Sequence, residues 1–425
     1  MLKLASLFVV AGSLSLAAQT PTVRLINAPD ASTKPVLGLA AALRQLPDGK
    51  LLVNDIQKRQ LLLFDPTLAN VAVIADSVSG GANSYGTRPG GIIPYVGDST
   101  LFVDPAGLSM FVIDPAGNIA RVASVPRSQD AGFIASNLFG TPGLDAQRRI
   151  VYRGGFGRIL PQMGPRGPMG LPELPDSAAL VRIDLASRKL DTAAFYKIPK
   201  QKMNVTQTDG RMTVTPEINP MPVIDDWAVL ADGSIAIVRG RDYHVDFIHA
   251  DGSLSSSPKI TFDWQRLSDE DKSAVIDSAK TALEKARTAG SAIGGVSVSG
   301  SPGGGPVIMT FGGGDGGRGN GGRGGNQVSI PPMSFVSLNE MPDYRPAFSQ
   351  GAAKGDADGN LWVRTSATRA GAIAGPIYDV INAKGEVIDR VQVPSGRQII
   401  GFGKGGIVYM QARDDKGSWI ERTHR

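Results

Sequence analysis

Six short apolar runs in this chain close on a hydrogen-bonding side chain. LLVN, LFVD, IVYR, AIVR, LWVR and VYMQ end on Asn54, Asp104, Arg153, Arg239, Arg364 and Gln411. Arginine closes three of them. A guanidinium is a planar fork of N–H donors that fits a carboxylate, sulfate or phosphate. Several such ends gathered at one opening make an anion-binding funnel. Further polar residues stand just ahead of apolar runs: Arg88 in GTRPGG, Asp226 in IDDW, Tyr344 and Arg345 in DYRP, and Arg397. The candidate ligand-binding set is therefore Arg88, Arg153, Asp226, Arg239, Tyr344, Arg345, Arg364 and Gln411. The competing reading is structural: the same arginines pair with Asp55, Asp104 and Asp226 between packed sheets.

Other chemistry is sparse. The chain has three histidines, His244, His249 and His424. His244 and His249 lie five apart on one expected strand, point to opposite faces, and cannot share a metal. No nucleophile elbow, phosphate loop or zinc motif occurs. Asn54, Asp55 and Asp104 offer oxygens suited to Ca²⁺, and no other cofactor is implied. Tyr243 and Tyr344 are the reactive side chains expected nearest the opening.

The elements that must position these residues come from a repeat. LRQLPDGKLLVNDIQKRQLLLFDP, from Leu43 to Pro66, has an Asp-Gly turn, a β-rich strand, a polar break and a second strand. WAVLADGSIAIVRGRDYHVDFIHADGSL, from Trp227 to Leu254, repeats it most clearly. Asp-Gly pairs supply the positive φ of a tight hairpin turn, and β-branched and aromatic residues favour the strands between. A period of about 40 residues with four strands per unit is the mark of a β-propeller. Six copies predict an all-β, six-bladed propeller over residues 19–425. Only three strands fit in the last copy, so TVRLINA, Thr22 to Ala28, is expected to complete the sixth blade and close the ring.

The D-G-x-L-W/Y/F-V strands, clearest in YRPAFSQGAAKGDADGNLWV from Tyr344 to Val363, resemble the six-bladed bacterial propellers grouped as NHL-like or TolB-like. That resemblance implies the fold and leaves activity open. Propeller lactonases carry a Glu-Gly-Pro opening and sialidases an S-x-D-x-G-x-T-W turn box, and this sequence has neither.

Three departures from the repeat fall on one face: residues 155–178, 199–222 and 263–343. The last holds a helix expected from Ser268 to Gly290, with an apolar stripe of Val275, Ile276, Ala279, Leu283 and Ala286. A Gly-rich stretch at about 290–326 follows and reads as a flexible loop. Binding residues favour loops over a rigid scaffold, so this face is the expected binding face.

Lys3, the apolar run Leu4 to Leu16, and Ala17–Ala18 read as a signal peptide over residues 1–18, which predicts a periplasmic or secreted protein. There is no cysteine in the 425 residues, so the core alone must supply stability. Net charge is +5 with both signs interleaved. No basic arm for nucleic acid and no membrane span are expected. The expected function is a monomeric binding or scaffold protein for an anionic small molecule, peptide or glycan, or for a protein partner. The alternative is an enzyme at the same mouth: a lactonase, lyase or glycosidase.

Overall fold

The structure is a computed structural model. It describes residues 21–34, 37–78, 84–155, 163–164, 167–168, 175–200, 202–208, 211–288, 334–367, 375–415 and 417–425. The expected signal peptide and the Gly-rich stretch lie outside the described residues.

Six antiparallel sheets form the blades of a propeller. Blade one is Ala40–Gln45, Leu51–Asp55, Gln60–Phe64 and Val71–Asp76. Blade two is Gly91–Pro94, Thr100–Asp104, Ser109–Ile113 and Ile119–Ser124. Blade three is Gly143–Leu144, Ile150–Arg153, Ser177–Ile183 and Leu190–Lys197. Blade four is Asp226–Val229, Ile235–Arg239, His244–Ile248 and Leu254–Ser256. Blade five is Phe348–Gly355, Leu361–Thr365, Ile377–Ile381 and Val387–Gln392. Blade six is Arg397–Phe402, Ile407–Asp414 and Gly417–His424, with Ala31–Ser32 as its fourth strand.

Ring closure differs in detail from expectation. Val23–Leu25 does not join blade six; it pairs in parallel with the outer strand of blade five, Val23 opposite Arg390. The residues just after it close the ring, with Ala31 opposite Arg422 and Ser32 opposite Glu421. Period-two patterning identifies a strand but not its partner, and the next extended residues reach the open edge of blade six. The N-terminal segment thus spans the seam between blades five and six, where Arg24 also meets Asp389 at 2.5 Å.

Side chains of the second strands alternate between the two neighbouring blades, so both sheet faces are buried. Leu51 and Val53 pack with Tyr409 and Ile420 of blade six. Leu52 packs with Phe102 of blade two. Trp362 packs with Ile399, Val408 and Met410 of blade six. The core is therefore six apolar seams between blades.

The largest insertion carries the helix Asp269–Thr288. Ser268 and Asp271 cap it reciprocally, the Asp271 amide donating to Ser268 Oγ at 3.2 Å and the Ser268 amide to Asp271 Oδ2 at 2.9 Å. Ile276 packs with Val336 and Met341, and Val275 joins them. Lys202–Thr208 and Arg211–Ile218 form a two-stranded ribbon, to which Ser334–Phe335 adds in parallel. All of this sits on the face where second strands end and first strands begin.

Candidate functional site

The closing residues of the second strands do not ring the channel. Each shares a sheet face with the residue two positions before it, and that face meets another blade. Asn54, Arg153, Arg364 and Gln411 follow Leu52, Val151, Trp362 and Tyr409, and turn towards the next blade. Asp104 and Arg239 follow Phe102 and Ile237 and turn towards the previous one. The six are thus not equivalent positions: two of the six are offset by one residue, which reverses a strand's faces.

Most of these side chains are occupied. Asn54 donates to Gly90 O at 2.7 Å and accepts from the Tyr85 hydroxyl at 2.9 Å. Asp55 accepts the amides of Gly38 and Leu39. Asp104 accepts those of Gly86 and Ala106. These oxygens hold turns together, and among the described residues no three of His, Cys, Asp or Glu gather to hold a metal ion. Arg239 is held by Asp225 at 2.8 Å and Asp246 at 2.6 Å. Gln411, oriented so that both ends of its amide are satisfied, spans the Ala40 peptide at 3.1 and 3.2 Å. Arg397 is bound by Glu421 at 2.7 Å. These side chains serve the fold, but with other acids than expected: Arg239 and Arg397 pair with Asp225, Asp246 and Glu421, while Asp55, Asp104 and Asp226 accept backbone amides.

The other candidates scatter. Arg153 is buried with its guanidinium 4.3 Å from the Phe139 ring centre and 5.5 Å from that of Phe133, and burial lowers its pKa. Arg88 is exposed. Tyr344 is half exposed and bridges to Arg266, while the Arg345 amide donates to Gln265 O, so both are tied to the insertion just ahead of them. Tyr243 is fully buried, and its hydroxyl donates to Asp379 Oδ2 at 2.8 Å in the seam between blades four and five. It is a packing residue, not a reactive group at the mouth. His244 is held by Asp242 at 2.7 Å, and His249 contacts Ser255 at 2.7 Å.

Arg364 remains, and the structure adds Lys354, which sequence reasoning missed. The inner strand of blade five is irregular between Phe348, opposite Thr365, and Ala353, opposite Val363. Gly351, at φ +74°, permits the extra residues. Beyond the irregularity Lys354 lies opposite Trp362, and Arg364 lies opposite Tyr378. Lys354, Trp362, Arg364 and Tyr378 therefore share the face towards blade six. Trp362 anchors that wall: its indole N–H donates to Asp356 Oδ2 at 2.9 Å, and its ring packs on Phe402 with centres 5.0 Å apart.

Asp226 joins from blade four. It is 1% exposed and accepts the Ala353 amide on Oδ2 at 2.9 Å and the Trp227 amide on Oδ1 at 3.0 Å. Burial raises its pKa to about 6, and the amide hydrogen bonds and Lys354 oppose that rise. Burial, and then the Arg364 charge, lower the Lys354 pKa against the pull of Asp226. Burial raises that of Tyr378, against Arg364. Among the described residues, Lys354 and Arg364 have no side-chain hydrogen bond and no ion pair within 4.0 Å. The sequence from Thr365 to Tyr378 contains no acidic residue. Two neighbouring half-buried cations without a carboxylate at contact distance form an arrangement that a bound anion would complete.

A cleft of about 350 Å³ lies apart from this cluster, between the helix and Ser334–Leu338. It is lined by Ile276, Lys280, Ser334, Phe335, Val336, Ser337 and Leu338.

No family model matches the chain, and no curated protein matches it. Solved structures of similar shape include a member of the DUF4221 family from Bacteroides vulgatus, 11% identical, covering 95% of this chain and 97% of that one at a TM-score of 0.42. A catalytically inactive virginiamycin B lyase from Staphylococcus aureus is 9% identical over 92% of this chain and 97% of that one, at 0.36. A calcium-binding regucalcin from Agrobacterium tumefaciens is 12% identical over 95% and 98%, at 0.34. Likeness at this level says nothing about activity.

Proposed function

We propose that this chain is an exported, periplasmic or secreted bacterial propeller of the NHL-like or TolB-like kind. In this proposal it acts as a monomeric binding protein whose ligand presents an anionic group to blade five. The ligand is a small molecule, peptide or glycan bearing a carboxylate, sulfate or phosphate, taken by Arg364 and Lys354. The observation that carries the proposal is the pairing of these two cations on one sheet face with no acidic partner at contact distance among the described residues. Arg364 supplies the fork and Lys354 a second charge, while Trp362 and Tyr378 wall the face with aromatic surface. Export is supported by the N-terminal pattern at Lys3, Leu4 to Leu16 and Ala17–Ala18. No described helix is long and apolar enough to cross a membrane.

The test is a thermal-shift screen of the mature chain against oxalate, phosphate, sulfate, uronate and sialate, followed by calorimetry on each anion that stabilises it. Loss of a charge-assisted contact costs ~1.5–3 kcal/mol, so Arg364→Gln should weaken binding by about 10- to 150-fold. Equal affinity in Arg364→Gln and the wild type would refute the assignment.

A further inference from the structure

We propose that Lys354 is an imine-forming lysine, and that the anion taken beside it is an oxo acid whose carbonyl condenses with Lys354 Nζ. The proposal rests on the anion-binding function given above and names the ligand class. Its geometric basis is the cluster itself. Lys354 and Arg364 share one face of blade five, so a group held by Arg364 brings the rest of its molecule to the Lys354 side chain. Asp226 of blade four reaches the same inner strand through the Ala353 amide.

An amine adds to a carbonyl only when unprotonated. Burial and a neighbouring cation favour the neutral form of a lysine. Lys354 has both, since burial and Arg364 lower its pKa. The other charged groups around it do not cancel this. Asp226 opposes it from outside ion-pair distance, Asp356 is engaged by Trp362 and Asn360, and Arg397 on blade six is paired with Glu421.

The step balances without a further reagent. The Lys354 nitrogen lone pair attacks the carbonyl carbon, and the carbonyl π pair moves to oxygen. Proton transfer from nitrogen to oxygen gives a carbinolamine. The nitrogen lone pair then expels the hydroxyl, which leaves as water with a proton taken from solvent, and the iminium so formed returns a proton to solvent. The products are one imine and one water.

The experiment uses the wild-type chain with pyruvate and cyanoborohydride at pH 7, followed by peptide mapping of all lysines. Trapping should place a carboxyethyl group on Lys354 faster than on the exposed Lys280, because burial and the Arg364 charge favour the free amine at Lys354. Oxalate cannot form an imine and should protect Lys354 from labelling. Labelling of Lys354 no faster than of Lys280 would overturn the proposal. If oxalate still stabilises the wild type and not Arg364→Gln, the anion site survives that failure; if oxalate has no effect either, both fall. Lys354→Arg, which removes the primary amine, should abolish the adduct.

Discussion

Replacing Asp226 with asparagine should change how stability depends on pH. Asp226 is 1% exposed at the start of blade four, and burial raises its pKa from 3.8 to about 6. Between these values the folded chain holds a proton that the unfolded chain has released. Asp226 therefore favours the fold below pH ~4, and that contribution is lost as pH rises through about 6. The rise corresponds to ~3 kcal/mol, and for a chain of this length that moves the unfolding midpoint by about 3 °C. Asparagine has no charge at any of these pH values. Melting curves of the wild type and Asp226→Asn from pH 4 to pH 8 should thus converge or cross, with the variant gaining about 3 °C relative to wild type as pH rises. The constant cost of exchanging one carboxylate oxygen for an amide nitrogen beside the Ala353 and Trp227 amides cancels in that comparison. Parallel curves would show that Asp226 titrates normally, and the burial argument for the site would fail.

Two further substitutions test the frame that holds the site. Tyr243→Phe removes the hydroxyl that donates to the buried Asp379, which also faces Arg390 at 3.0 Å; stability should fall by ~1.5–3 kcal/mol in denaturant unfolding, and a loss below measurement would deny this bond a role in joining blades four and five. Gly140→Ala should cost about 2–3 kcal/mol, because Gly140 has φ +103° and a Cβ there meets the Trp227 indole; an unchanged midpoint would show that this contact relaxes freely.

The blades were legible because their signals are local. Asp-Gly turns need positive φ, and Gly49, Gly233, Gly252 and Gly359 have it, at +84°, +86°, +86° and +87°. The capped helix was legible for the same reason: Ser268 and Asp271 lie three residues apart and satisfy one another. The ring of arginines was not legible. Whether Arg239 faces forward or back depends on a one-residue offset that apolar runs buried on both faces do not record. Tyr243 looked available in RDYHV, yet it is sealed by Asp379, a contact 136 residues away. Lys354 was passed over because GAAKG reads as an ordinary strand end. Its neighbours Arg364 and Asp226 are brought to it by pairing across a strand irregularity and across a blade seam. The N-terminal strand was recognised and its partner mistaken, since an outer edge of blade five and an open edge of blade six look alike from sequence.

The most direct measurement is a crystal of the mature chain soaked in selenate, with the anion located by its anomalous scattering. Selenate should sit within about 2.7–3.2 Å of the Arg364 guanidinium, with Lys354 Nζ on the same anion. Selenate found only at exposed positions such as Arg88, or Arg364 found closed onto a carboxylate of the protein, would contradict an anion site at blade five.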